Sequence, residues 1–152
     1  MGLVKFAQRL KELMELDGIS QRSLAIKINV DTKCLRLWLK GIYFPKYNAL
    51  IRLSEYFQVR IDYLIGLEDV IVEKKNKEII NGEKATKTRF HFLLYQYIQN
   101  NNLSKYAFAK RVKIDQKAIT KWLTVGSMPE IATVIKLTKV MNVSAQELLL
   151  GE

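Results

Sequence analysis

The 152-residue sequence contains one cysteine, one histidine and two prolines. A lone Cys34 cannot close an internal disulfide, and His91 has too few companion ligands for a metal centre. Cys34 reads as a small buried or half-buried hydrophobe rather than a reactive thiol, and His91, between Phe90 and Phe92, as a packed or surface imidazole. No second histidine or partnered nucleophile forms a catalytic set. Nor does any apolar run approach the roughly 20 residues of a membrane helix. Residues 1–10 carry Lys5, Gln8 and Arg9 where a secretory leader would place an apolar block. These absences predict a cytoplasmic, non-enzymatic protein with no cofactor, no metal and no membrane partner.

What is abundant is positive charge. Lys and Arg number 25 against 15 Asp and Glu, a formal +10. Such a field favours polyanions, either nucleic acid or an anionic lipid surface. Residues 1–66 hold 11 basic and 6 acidic side chains, 67–88 hold 5 of each, and 89–152 hold 9 and 4. Two basic modules therefore flank a neutral but highly charged connector.

An internal repeat accounts for the modules. Shifting the sequence by 84 residues lays Trp38 on Trp122, the two tryptophans of the chain. The same gapless shift pairs Phe6 with Phe90, Leu10 with Leu94, Ser20 with Ser104, Ala25 with Ala109 and Asp31 with Asp115. Farther along it pairs Lys33 with Lys117, Pro45 with Pro129, Leu53 with Leu137 and Leu64 with Leu148. The predicted organisation is two domains, 1–66 and 89–152, joined by a charged linker over 67–88. The linker also holds Val70, Ile71, Val72, Ile79 and Ile80, which leaves docking against a domain and a short helix both open.

Within each copy the apolar residues recur at three and four positions, as on amphipathic helices. In copy one Leu3, Phe6, Leu10, Leu13 and Met14 mark the first helix, ended by Asp17-Gly18. Ser20 and Asp31 stand where N-cap side chains accept from orphan amides, opening a second and third helix. A fourth helix is expected over 46–57 and a short fifth over 61–65. Copy two repeats the scheme over 90–99, 104–112, 115–124, 130–141 and 144–150. No segment alternates as a strand does, so the fold class is all-α, two tandem five-helix domains. The core of copy one is expected from Leu24, Ile28, Val30, Leu35, Trp38, Leu50, Leu53 and Leu64. Ala25 and Ala109 are small enough to let two helices cross closely. Asn29 suits a turn with positive φ, and Lys113 at the equivalent place suits it less well.

The stretch from Ser20-Gln21 through Leu24-Ala25, Val30-Asp31, Leu35 and Trp38 to Gly41 and Pro45 resembles the lambda-repressor-like, XRE-type helix-turn-helix family. The ending Phe57-Gln58-Val59-Arg60-Ile61-Asp62-Tyr63-Leu64-Ile65-Gly66 also looks like the family's closing helix. The resemblance covers 4–66 and, in weaker form, 89–151. It implies that the third helix of each copy is a recognition helix for the major groove of double-stranded DNA. In copy one the implied DNA-binding residues are Gln21, Arg22, Thr32, Lys33, Arg36, Leu37 and Lys40. Tyr43, Lys46 and Asn48, around the fourth helix, complete the set toward phosphate. Copy two offers Lys105, Gln116, Lys117, Thr120 and Lys121 on the equivalent face. Arg36 and Lys33 suit guanine O6 and N7, and Gln116 suits adenine N6 and N7.

The expected function is a sequence-specific transcriptional regulator, a repressor, working either as a homodimer or as a single-chain pseudo-dimer. Because outward residues differ between copies while inward ones agree, two unlike half-sites are expected. The alternative is a non-enzymatic protein-interaction module that reuses the fold, with copy two for dimerisation. Leu37, Tyr43, Phe44 and Tyr47, read as exposed, motivate it.

Overall fold

The structure, a computed structural model, describes residues 2–69 and 82–151, with side chains of the second stretch from Thr86 onward. The chain forms two compact units, Met1–Asn76 and Lys77–Glu152. Among the described residues every regular element is an α-helix, ten in all. The connector's apolar residues Val70, Ile71, Val72, Ile79 and Ile80 lie outside the described residues.

The first unit contains α1 (Gly2–Asp17), α2 (Gln21–Lys27), α3 (Thr32–Leu39), α4 (Tyr47–Phe57) and α5 (Ile61–Leu64). Helix α1 buries Phe6, Leu10, Leu13 and Met14 of the expected stripe and leaves Leu3 half-buried. It stops at Gly18, whose φ of 70° is costly for a residue with Cβ. Helix α3 packs on α1 and α2, and α5 on α1 and α4. Phe6, Leu10, Leu24, Leu35, Leu50, Leu53, Ile61 and Leu64 are removed from solvent completely. Each such side chain stabilises the fold by about 1.5–3 kcal/mol before ordering entropy is set against it. Trp38 closes the core from α3 and is 3% exposed.

Polar groups finish the unit. Arg52 Nη1 donates to Ile28 O at 3.1 Å, satisfying a carbonyl at the end of α2. Ser54 is buried on α4, and its hydroxyl donates to Val59 O at 2.6 Å. On α1, Arg9 sits over the Tyr63 ring, 4.4 Å from its centroid. The same guanidinium donates to Tyr63 O, to Glu68 O at 2.6 Å and to Asp69 Oδ1 at 3.0 Å. This clasp ties the residues after α5 back onto α1, so Glu68 and Asp69 belong to the first unit. Tyr56 donates its hydroxyl to Asp17 Oδ2 at 2.7 Å. The bond to Asp17, then burial and the carboxylate charge, raise the Tyr56 pKa above its ordinary value.

The second unit contains α6 (Gly82–Asn100), α7 (Lys105–Val112), α8 (Gln116–Thr124), α9 (Ile131–Met141) and α10 (Ala145–Leu150). From α2 to α5, each helix starts exactly one 84-residue shift before its counterpart among α7 to α10. Phe90 meets Trp122 edge to face, with ring centroids 5.9 Å apart. The equivalent Phe6 instead tilts against Phe44 at 5.8 Å.

Several expectations are corrected. Helix α6 begins at Gly82, inside the stretch read as linker, because Thr86 lies one turn before Phe90 on the buried face and is 2% exposed. Val30 is half-buried rather than core, while Tyr47 is buried, 8% exposed, instead of presented to solvent. Phe44 and Leu37 are likewise only half-exposed. Lys113, the residue least suited to its turn, nevertheless takes the left-handed conformation with φ 64°.

Candidate nucleic-acid interface

The face is built by two capped helices and the turn between them, twice. Ser20 accepts from Ser23 N at 3.2 Å, and Ser104 from Ala107 N at 3.0 Å. Asp31 Oδ1 accepts from Lys33 N, and Asp115 Oδ1 from Lys117 N, both at 2.9 Å. Between the caps, Asn29 and Lys113 have φ of 54° and 64°. The chain then closes the turn with Val30 N donating to Ala25 O at 2.9 Å and Ile114 N to Ala109 O at 3.0 Å. Ala25 and Ala109, 2% and 4% exposed, are the small residues in these crossings. Cap, turn and crossing thus have the same backbone form in both units.

Helix geometry decides what points outward. At 3.6 residues per turn, Thr32, Lys33, Arg36, Leu37 and Lys40 fall within an arc of about 140°, and Leu35 and Trp38 lie on the other side. Leu35 and Trp38 are buried, whereas Lys33, Arg36 and Lys40 are exposed and Thr32 and Leu37 half-exposed. Gln21 and Arg22 are exposed in the first turn of α2. Tyr43 is exposed in the loop before α4, and Lys46 is the N-cap residue of α4, its side chain making no capping bond. Asn48 is half-buried, and its Oδ1 accepts from Ala49 N at 2.8 Å, so the side-chain carbonyl is already engaged.

In the second unit, Gln116, Lys117 and Lys121 are exposed on α8 and Thr120 is half-exposed. The Thr120 hydroxyl donates to Gln116 O at 3.2 Å and the Thr124 hydroxyl to Thr120 O at 2.6 Å. Both hydroxyls therefore spend their proton on their own helix. Lys105 is half-exposed at the start of α7. In the first unit the sequence-selected residues lie on α2, along α3 to its C-cap Lys40, and from the following loop into the first turn of α4; in the second they lie on α7 and α8.

Some relevant positions escaped the sequence reading. Tyr106, 60% exposed with Lys110 Nζ 5.5 Å from its ring centroid, stands where the first unit has Arg22. More telling are the counterparts of Tyr43, Lys46 and Asn48, which are Ser127, Glu130 and Ala132. Glu130 is exposed at the N-cap of α9, again without a side-chain capping bond. A carboxylate thus occupies the place of the Lys46 ammonium. The 84-residue shift carried this signal.

Among the described residues no cluster of histidine, cysteine and carboxylates could hold a metal ion, and no helix is long and apolar enough to cross a membrane. Cys34 is half-buried.

Residues 94–148, within the second unit, match the helix-turn-helix family model. The match falls on the copy with the weaker motif resemblance. A stretch of 78 residues is 28% identical to the HTH-type transcriptional regulator ImmR of Bacillus subtilis strain 168. It covers 51% of this chain and 61% of that regulator, so the likeness spans a part of each protein. No solved structure matches the chain significantly.

Proposed function

We propose that the chain is a sequence-specific DNA-binding transcriptional regulator, a repressor that occupies promoter DNA with α3 and α8 in the major groove. The supporting observation is the repeated capped helix-turn-helix, each time with the polar and basic side of its third helix outward, in a chain of formal charge +10. The helix-turn-helix match and the regulator relative support the same class. In this reading residues 1–66 and 89–152 are duplicated DNA-binding domains joined through 67–88. Arg36, Lys33 and Thr32 meet base edges, and Gln21, Arg22, Lys40, Tyr43, Lys46 and Asn48 meet the backbone. From the second domain, Gln116, Lys117, Thr120 and Lys121 face bases and Lys105 phosphate. One chain then acts as a pseudo-dimer, its half-sites about 34–36 Å apart along one face of the duplex.

The test is selection from a randomised duplex library at low salt, with binding then followed against salt. Enrichment of a defined sequence is expected, lost on Arg36→Ala. The salt slope should be about −0.9 per phosphate neutralised. Absence of enrichment at any salt refutes the reading. A protein-interaction role for the second unit is the other reading, favoured by Phe92 and Tyr95, 60% and 53% exposed on α6. A chain that sediments as a dimer, and as a monomer after Phe92→Ser, would support it.

A further inference from the structure

The two units share a backbone but not a chemistry, and the difference is directional. At the first outward position of the third helix the first unit has Thr32 and the second Gln116. One turn on, Arg36 is answered by Thr120, whose hydroxyl is bonded to its own helix. At the start of the fourth helix Lys46 is answered by Glu130, both exposed. The first unit therefore combines a guanidinium on α3 with a cation at the start of α4. The second instead has the Gln116 amide on α8 and a carboxylate where that cation was.

We infer that the chain reads an asymmetric operator: a strong half-site with a guanine contacted by Arg36, and a weaker half-site with an adenine contacted by Gln116. This rests on the DNA-binding reading above and adds the identity and ranking of the halves. Gln offers an adenine one donor and one acceptor at the spacing of N7 and N6, whereas Arg offers guanine two donors. The ranking follows from Glu130, because phosphate contacts supply much of the affinity and a carboxylate at that place opposes them.

The test uses the full chain, with library selection for wild type, Gln116→Ala and the double variant Gln116→Thr with Thr120→Arg. These substitutions fall at exposed or half-exposed positions, and thermal melts check that each variant folds. Wild type should enrich two unlike halves, the guanine-containing one more strongly constrained. Gln116→Ala should flatten the adenine preference alone, lowering affinity for the full site roughly 5- to 150-fold. The double variant should convert the weaker half to a guanine preference. If folded variants leave the second half unchanged, or wild type selects two identical halves, the inference is overturned while DNA binding stands. If wild type enriches nothing, both it and the regulator reading fall.

Discussion

Replacing Glu130 by lysine should tighten DNA binding while loosening the fold. The side chain is exposed, lies at the N-cap of α9 and makes no capping bond, so its removal breaks no specific contact. The substitution changes the local charge by two. In water a unit charge about 6 Å from a phosphate contributes about 0.7 kcal/mol. At ~0.15 M salt a Debye length near 8 Å roughly halves that. The two changes together give about 0.6–1.4 kcal/mol, or about three- to tenfold tighter binding. Each phosphate newly neutralised steepens the slope of log K against log salt by about 0.9. Stability moves the other way, because Glu130 favours the positive end of the α9 dipole by about 0.3–1 kcal/mol. Fluorescence anisotropy on the selected duplex across a salt series, with a thermal melt alongside, separates the two effects. Glu130→Gln should fall between wild type and lysine. If affinity and salt slope are unchanged in Glu130→Lys, the start of α9 does not approach phosphate, and the ranking of the two units loses its basis.

Other outcomes follow from single contacts. Lys113→Gly should raise stability by about 0.5–1 kcal/mol in denaturant melts, because φ there is 64° and an L-residue pays for it; a loss would show that the side chain stabilises by packing. Arg9→Ala should cost about 1.5–3 kcal/mol and speed amide exchange at Glu68, whose carbonyl the guanidinium holds. Unaltered exchange would show the clasp to be idle. Tyr56 titrates above 10.0 because its proton is held by Asp17, burial and the carboxylate charge adding to this. A raised folded value favours the neutral form, so this stabilisation is present below about pH 10 and fades as pH climbs through the folded pKa. In absorbance titrations Asp17→Ala should return the tyrosine to its ordinary range, and an unmoved midpoint would contradict the assignment.

The parts of the fold that were readable are those decided locally. Ser20, Asp31, Ser104 and Asp115 could be placed as caps because a short acceptor side chain before a helical stripe has few other uses. The start of α6 was hidden because Thr86, a polar residue, occupies a buried stripe position amid charged neighbours. Tyr47 looked like a surface aromatic, although its counterpart Ile131 is 2% exposed and marks the position as inward. The outward faces of α3 and α8 could be deduced by subtraction from the buried ones. Glu130 was not legible as a site residue because it does not recur between the copies; its signal is a reversal of sign at the place of Lys46.

The Arg9 clasp also sets a leash. With Glu68 and Asp69 held to the first unit and α6 starting at Gly82, thirteen peptide links separate the last anchored residue from the next helix. Fully extended, they reach no more than about 45 Å. In the proposed reading, that contour length caps the separation of Asp69 from Gly82 when both units of one chain occupy one duplex. Operators whose halves are moved apart by additional helical turns should then lose binding by both units of a single chain.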